Sequence, residues 1–147
     1  MALFLVLIAL TVGVVLPAQA GINAQLRIWL GHPIQAALVS FTVGTLVLLA
    51  SSMALRLSWP SIEHLGSAPW WVWVGGIFGA TYVSMAVVLA PRLGAATLIG
   101  ASVAGQLIGS LLLDHYGSVG YTVRPISPER IVGAGLLLVG VFLIQKF

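Results

Sequence analysis

The sequence predicts an all-α polytopic membrane protein of five transmembrane helices, and three observations carry that prediction. The 147 residues are 60% hydrophobic and only 6% charged, where soluble domains carry roughly a quarter charged residues. Apolar runs of membrane-spanning length recur five times, with short connections between them that hold the scattered arginines. Lastly, no segment alternates polar and apolar residues as a membrane β-strand would. Backbone exposed to lipid must satisfy its own hydrogen bonds, so apolar runs of this length are helices.

Residues 1–147 read as one membrane domain, with spans expected at about 2–26, 34–55, 70–89, 95–113 and 131–145. The first run ends in Pro17-Ala18-Gln19-Ala20-Gly21, which looks like a signal-peptidase site. A secretory signal needs a positively charged start, and Met-Ala-Leu-Phe-Leu-Val has none, so a retained span is expected. Pro17 lies inside that span, where it removes one backbone hydrogen bond and kinks the helix. Gly31-His32-Pro33 reads as a stop and a restart, with the glycine past one helix and the proline in the first turn of the next. Arg56 to Pro69 is a polar connection. Trp70, Trp71 and Trp73 open the third span, a placement that suits the headgroup layer. Pro91-Arg92-Leu93-Gly94 is expected to make a tight turn before the fourth span. Ser127-Pro128-Glu129 supplies an N-cap, a first-turn proline and a first-turn acid for the last one.

Several function classes drop out at this level. The formal charge of +3 comes from arginines spread singly, with no basic patch interleaved with aromatics, so nucleic-acid binding is not expected. There is no cysteine, hence no disulfide, thiol chemistry or cysteine-ligated metal. His32, His64 and His115 lie in separate connections without ligand spacing, so neither a metal nor a cofactor is expected. No nucleophile–base arrangement, phosphate loop or HExxH is present, and the chain does not read as an enzyme.

Orientation in a bilayer follows the bias of Lys and Arg between the two sides. With five spans, Arg56, Arg124 and Arg130 fall on one side and Arg27, Arg92 and Lys146 on the other, three against three. Either the handling of the first helix decides orientation, or copies insert both ways and pair antiparallel. Transporters commonly place the solute between two inverted repeats. Five helices make one such repeat, so an antiparallel homodimer would build a ten-helix inverted-repeat architecture from one chain.

Small residues at four-residue spacing mark helix contact faces in lipid. The fourth span carries Thr97, Ala101, Gly105 and Gly109; the fifth carries Gly133 and Gly140, two turns apart. The spacing leaves open whether the partner is the same chain or a second copy. Polar groups within spans are functional candidates because they are costly unless paired. Gln19 and Asn23 share a face just after Pro17. They would line a polar pathway or bond a neighbouring helix as structural glue. Gln106 sits mid-span in the fourth helix with Ser102 and Ser110; Ser40, Thr45, Thr81, Tyr82 and Ser84 would complete a lumen. Asp114, at the end of the fourth span, is either a proton-coupling acid or an interfacial partner of an arginine.

Several motifs, in this order, resemble the YdcZ-like family: Pro17-x-Gln19-x-x-x-Asn23-x-x-Leu26, Ala37-Leu38-Val39-Ser40-Phe41-x-x-Gly44-Thr45 and Pro69-Trp70-Trp71-x-Trp73-x-Gly75-Gly76. Ala90-Pro91-Arg92-Leu93-Gly94-Ala95-Ala96, Gly105-Gln106-Leu107 and Leu113-Asp114-His115-x-Gly117 continue the match. The family is a five-helix branch of the drug/metabolite transporter superfamily, so the resemblance implies a bacterial inner-membrane protein built as half of a ten-helix transporter. Gly133-x6-Gly140 also resembles the dimerising last helix of small multidrug resistance proteins. Those relatives couple export to protons through a first-helix glutamate, whereas this chain has Gln19 and Asn23 there.

The function expected is a secondary transporter of a small solute, working as a homodimer by alternating access. Gln19, Asn23, Gln106, Ser40 and Tyr82 would contact solute, and Pro17 would be the hinge. A neutral or cationic solute fits better than an anion, since no basic residue lies mid-membrane. The alternatives are a passive channel, which needs a continuous polar pore, and an accessory subunit without transport of its own.

Overall fold

The computed structural model describes residues 2–147, apart from the side chains of Ala2 and His64. Met1, and the expectation that His64 has no metal-ligand neighbours, lie outside the described residues. The described residues are helical with no strand. Five helical stretches are long and apolar enough to cross a bilayer: Leu3–Leu30, Pro33–Ala54, Trp70–Leu93, Ala95–Tyr116 and Pro128–Lys146.

The first stretch is two helices, α1 (Ala2–Gly13) and α2 (Val15–Leu30), with the interruption at Val14. Proline clashes with the carbonyl four residues before it, and for Pro17 that residue is Gly13, where α1 ends. The helix then runs past Arg27, which the sequence alone places in a loop. Arg27 sits in the last turn of α2, where a cation favours the negative end of the helix. The Gly31 N–H caps that end by donating to the Arg27 carbonyl at 2.8 Å.

α3 (Pro33–Ala54) starts at a built cap: the Ile34 N–H donates to Nδ1 of His32, with Pro33 in the first turn. After a short α4 (Ile62–Gly66), a 3-10 turn over Trp70–Val74 leads into α5 (Gly75–Leu93). The expected tight turn at Pro91 does not form; α5 continues through Pro91 to Leu93. Proline disturbs only the turn before it, so one more turn of helix can follow. Gly94 separates α5 from the next helix, at φ 77°, a backbone conformation that favours glycine.

α6 (Ala95–Tyr116) ends on Gly117 at φ 60°. A Cβ on Gly117 would come within 2.6 Å of Val123 Cγ2 and 3.3 Å of the Tyr121 carbonyl oxygen, so both conformation and space call for glycine. A 3-10 turn over Ser118–Gly120 and then irregular chain lead to α7 (Pro128–Lys146), where Ser127 accepts from the Arg130 N–H and Pro128 takes the first position.

The chain divides into two compact units, Ala18–Pro91 and the segments flanking it. Buried positions are mostly small: Ala24, Ala36, Ala37 and Ala86 in the first, Ala104 and Ala134 in the second. Lipid gives large apolar side chains no reason to turn inward, so helices approach through small residues while Leu, Ile and Phe face outward.

Candidate functional site

Within Ala18–Pro91, α2 and α3 border a cavity of about 230 Å³ lined by Gln19, Ser40, Phe41, Gly44, Thr45 and Leu48. On α3 these positions recur at three- and four-residue steps, so they form one face. Gly44 adds no side chain, and nothing stands within 4 Å of where its Cβ would be. The polar groups are all uncharged. Gln19 offers an amide that donates and accepts. The Thr45 hydroxyl donates to the Phe41 carbonyl of its own helix at 2.8 Å, which leaves its oxygen lone pairs as acceptors toward the cavity. Such a lining can hold a small neutral solute by hydrogen bonds to Gln19, Ser40 and Thr45 and by apolar contact with Phe41 and Leu48.

A second cavity, of about 180 Å³, lies between α3 and α5 and is lined by Ile34, Ala37, Leu38, Phe41, Ala80 and Ser84. Ser84 is its one side chain with a polar group.

The structure brings together Gln19 and Ser40 among the expected solute contacts, with Thr45 beside them. Asn23 is 4% exposed and does not line that cavity. The two amides of one helix face thus differ: Gln19 opens on a void and Asn23 is enclosed. Tyr82 is half-buried on α5 and lines neither cavity. Thr81 donates back to the Ile77 carbonyl of its own turn at 2.9 Å. Gln106 lies in the other unit and is exposed. Sequence reasoning passed over Phe41 as a lining residue, although its spacing from Ala37, Gly44 and Thr45 carried the signal.

In the flanking unit, α6 and α7 meet on a face other than the stripe of Ala101, Gly105 and Gly109. Leu98, Ala104, Leu111 and Ala134 are the buried positions. A Cβ on Gly100 would come within 3.2 Å of Val141 Cγ2. Ala101 and Gly105 are exposed. Among the described residues nothing comes within 4 Å of a Cβ built on Gly105, Gly109, Gly133 or Gly140.

Asp114 is engaged. Its carboxylate accepts from Arg130 Nη2 at 2.5 Å in a half-buried ion pair. Arg130 Nη1 donates to the Arg124 carbonyl at 2.9 Å, and the Arg124 N–H donates to the Asp114 carbonyl at 2.8 Å. The Ile126 N–H donates to Nδ1 of His115 at 3.2 Å. These bonds pin the connection between α6 and α7. Asp114, Tyr121, Thr122 and Arg124 also line a polar cavity of about 190 Å³ there. Among the described residues no cluster of three His, Cys, Asp or Glu could hold a metal.

The family model DMT_YdcZ, described as "Putative inner membrane exporter, YdcZ", matches residues 4–143. The chain belongs to this family. Within the YdcZ family it is 38% identical over 84 residues to "Inner membrane protein YdcZ" of Escherichia coli (strain K12), which covers 57% of this chain and 56% of the relative. The chain therefore spans just over half the length of that relative. No solved structure matches. Membership in the YdcZ family, together with five membrane-spanning helices, makes this a multi-pass inner-membrane protein.

Proposed function

We propose that the chain is a secondary transporter of a small, uncharged or cationic solute, acting as an exporter and working by alternating access as an antiparallel homodimer. The observation that carries the transport reading is the cavity of Gln19, Ser40 and Thr45 beside Phe41 and Leu48. Gln19, Ser40 and Thr45 place hydrogen-bonding groups on an otherwise apolar void, and polar groups within a span mark solute pathways. The description of the family as an inner membrane exporter supports the direction. Gln19 contacts the solute, and Asn23, enclosed one turn further on the same helix, steadies the helix that presents it. Tyr82, which lines neither cavity, is not assigned a solute contact. Pro17 is the hinge, since the helix is already broken one turn before it.

The homodimer rests on the three-against-three balance of basic residues and on the faces left open in a single chain. Gln106 is exposed mid-span, and an amide there needs a polar partner. A second copy approaching along Ala101, Gly105 and Gly109 supplies one, with Gly133 and Gly140 a further open face. Asp114 is already paired with Arg130, so coupling through it would require that pair to open.

Proteoliposomes tested for uptake and efflux across a metabolite panel decide the transport reading. Gln19→Ala is expected to lower transport by about tenfold, the value of one or two lost hydrogen bonds, and Asn23→Ala to lower it less. Unchanged transport in both variants would remove the site. Reporter fusions at the C-terminus test antiparallel insertion; signal from one side of the membrane alone would end it.

A further inference from the structure

Phe41 lines both cavities of the Ala18–Pro91 unit. The other α3 residues divide cleanly around it: Ile34, Ala37 and Leu38 belong to the apolar cavity, and Ser40, Gly44, Thr45 and Leu48 to the polar one. All these positions follow a three- and four-residue rhythm, so both cavities lie on one face of α3 at successive heights. From residue 34 to residue 48 the helix rises about 21 Å, against a hydrocarbon core of about 30 Å. The two cavities therefore cover most of the membrane depth, and one aromatic ring stands where they adjoin.

The ring has a seat and room to leave it. Phe41 Cζ lies 3.4 Å from where a Cβ of Gly79 would be, so the bare backbone of α5 receives its edge. The residue is still 41% exposed. In a helix a long side chain takes one of two staggered χ1 positions, and moving between them sweeps the ring from one cavity toward the other.

We propose that the two cavities are successive chambers of one solute path along α3, and that Phe41 is the movable partition between them. This rests on the transport reading above and adds its gate. A solute in the polar chamber is held by Gln19, Ser40 and Thr45, while the apolar chamber with Ser84 is the passage beyond. Turning the ring closes one chamber as it opens the other, which is the local act that alternating access requires.

The chain has no cysteine, so a single cysteine introduced in these 147 residues is their one thiol. In proteoliposomes, Ser40→Cys and Ser84→Cys are expected to react with a charged, membrane-impermeant methanethiosulfonate about tenfold faster than Val43→Cys on the opposite face of α3, because the reactive thiolate forms where water reaches. Osmotic swelling with xylitol as the neutral probe reads the partition, and it counts copies inserted in either direction. Phe41→Ala is expected to raise xylitol permeation about tenfold by widening an apolar constriction, with Phe41→Leu between it and the unaltered protein. Should Phe41→Ala fail to reconstitute, Phe41→Leu alone decides.

Thiols at 40 and 84 no faster than at 43 would show that the cavities face lipid and overturn the path. Reactive thiols with xylitol permeation unchanged by either substitution would overturn the partition. Reactive thiols and a xylitol leak, with no solute carried in the metabolite panel, would instead keep the chambers and remove the transporter.

Discussion

Gly100 of α6 and Gly44 of α3 are both mid-helix glycines, yet they meet opposite surroundings. A Cβ at Gly100 would come within 3.2 Å of Val141 Cγ2, whereas one at Gly44 would meet nothing within 4 Å. In the first case the missing side chain lets α7 approach; in the second it leaves a void with Gln19, Ser40 and Thr45 at its edge. The same residue type therefore serves contact in one unit and space in the other. In lipid, where burial of apolar surface between helices gains little, the difference is set by van der Waals fit alone. The chain spends close packing, an ion pair and several backbone bonds on α6, α7 and their connection. It leaves the α3 face loose.

The largest effect is expected where fit is tightest. Gly100→Leu puts four carbons against Val141, a stiff β-branched neighbour, and overpacking of this kind costs about 1–3 kcal/mol. Thermal unfolding in detergent should show a clear loss of midpoint. An unchanged midpoint would mean that the α6–α7 seam is not the rigid part of the molecule, and the contrast with α3 would break.

The connection between those helices comes next. Arg130→Ala removes both the bond to Asp114 and the bond to the Arg124 carbonyl, while Asp114→Ala removes only the first. The pair is partly exposed, 32% and 23% at the side chains, so its worth is nearer that of a surface pair than a buried one. Asp114→Ala should cost about 1 kcal/mol or less, and Arg130→Ala more than that. Thermal midpoints and proteolysis within residues 117–127 would rank the two. The reverse order would mean that the carbonyl bond contributes nothing.

How far this was legible in the sequence depends on whether local chemistry or a neighbour's shape decides. The five helices follow from hydropathy and the need to satisfy backbone hydrogen bonds, and the restart at Pro33 and the cap at Ser127-Pro128 could be read directly from residue type, whereas the cap from His32 could not. Arg27 misled because a charge looks like a loop, although in a last turn it stabilises the helix it ends. Pro91 misled because its effect falls on the turn before it, and it is Gly94 that interrupts the helix. The contact face of α6 could not be chosen from spacing. Gly100 and Ala104 are four apart, and so are Ala101, Gly105 and Gly109. Only the position of Val141 selects between the two rows. Of the polar residues, Gln19 and Ser40 lie on different helices, so their sharing of the α3 cavity depends, like the burial of Asn23, on packing that spacing along one helix does not encode.

The smallest effect on stability is expected at Gly44, and there the contrast becomes a statement about function. Gly44→Ala adds a methyl into open space and relieves a helix of its most flexible residue, a change favourable by about 0.5–1 kcal/mol where nothing obstructs it. Gly44→Leu should leave stability within about 0.5 kcal/mol as well, since a surface change away from contacts costs little. Yet its side chain would occupy a cavity of about 230 Å³ whose other walls are Gln19, Ser40, Phe41, Thr45 and Leu48. Transport in proteoliposomes should therefore fall in the order Gly44, Ala, Leu while stability stays level or rises. Gly100→Leu separates the alternative, because it should lower stability without filling the cavity. If Gly44→Leu instead unfolds the protein as Gly100→Leu does, the space beside Gly44 is filled by another helix in the working assembly, and the α3 face is a seam rather than a site.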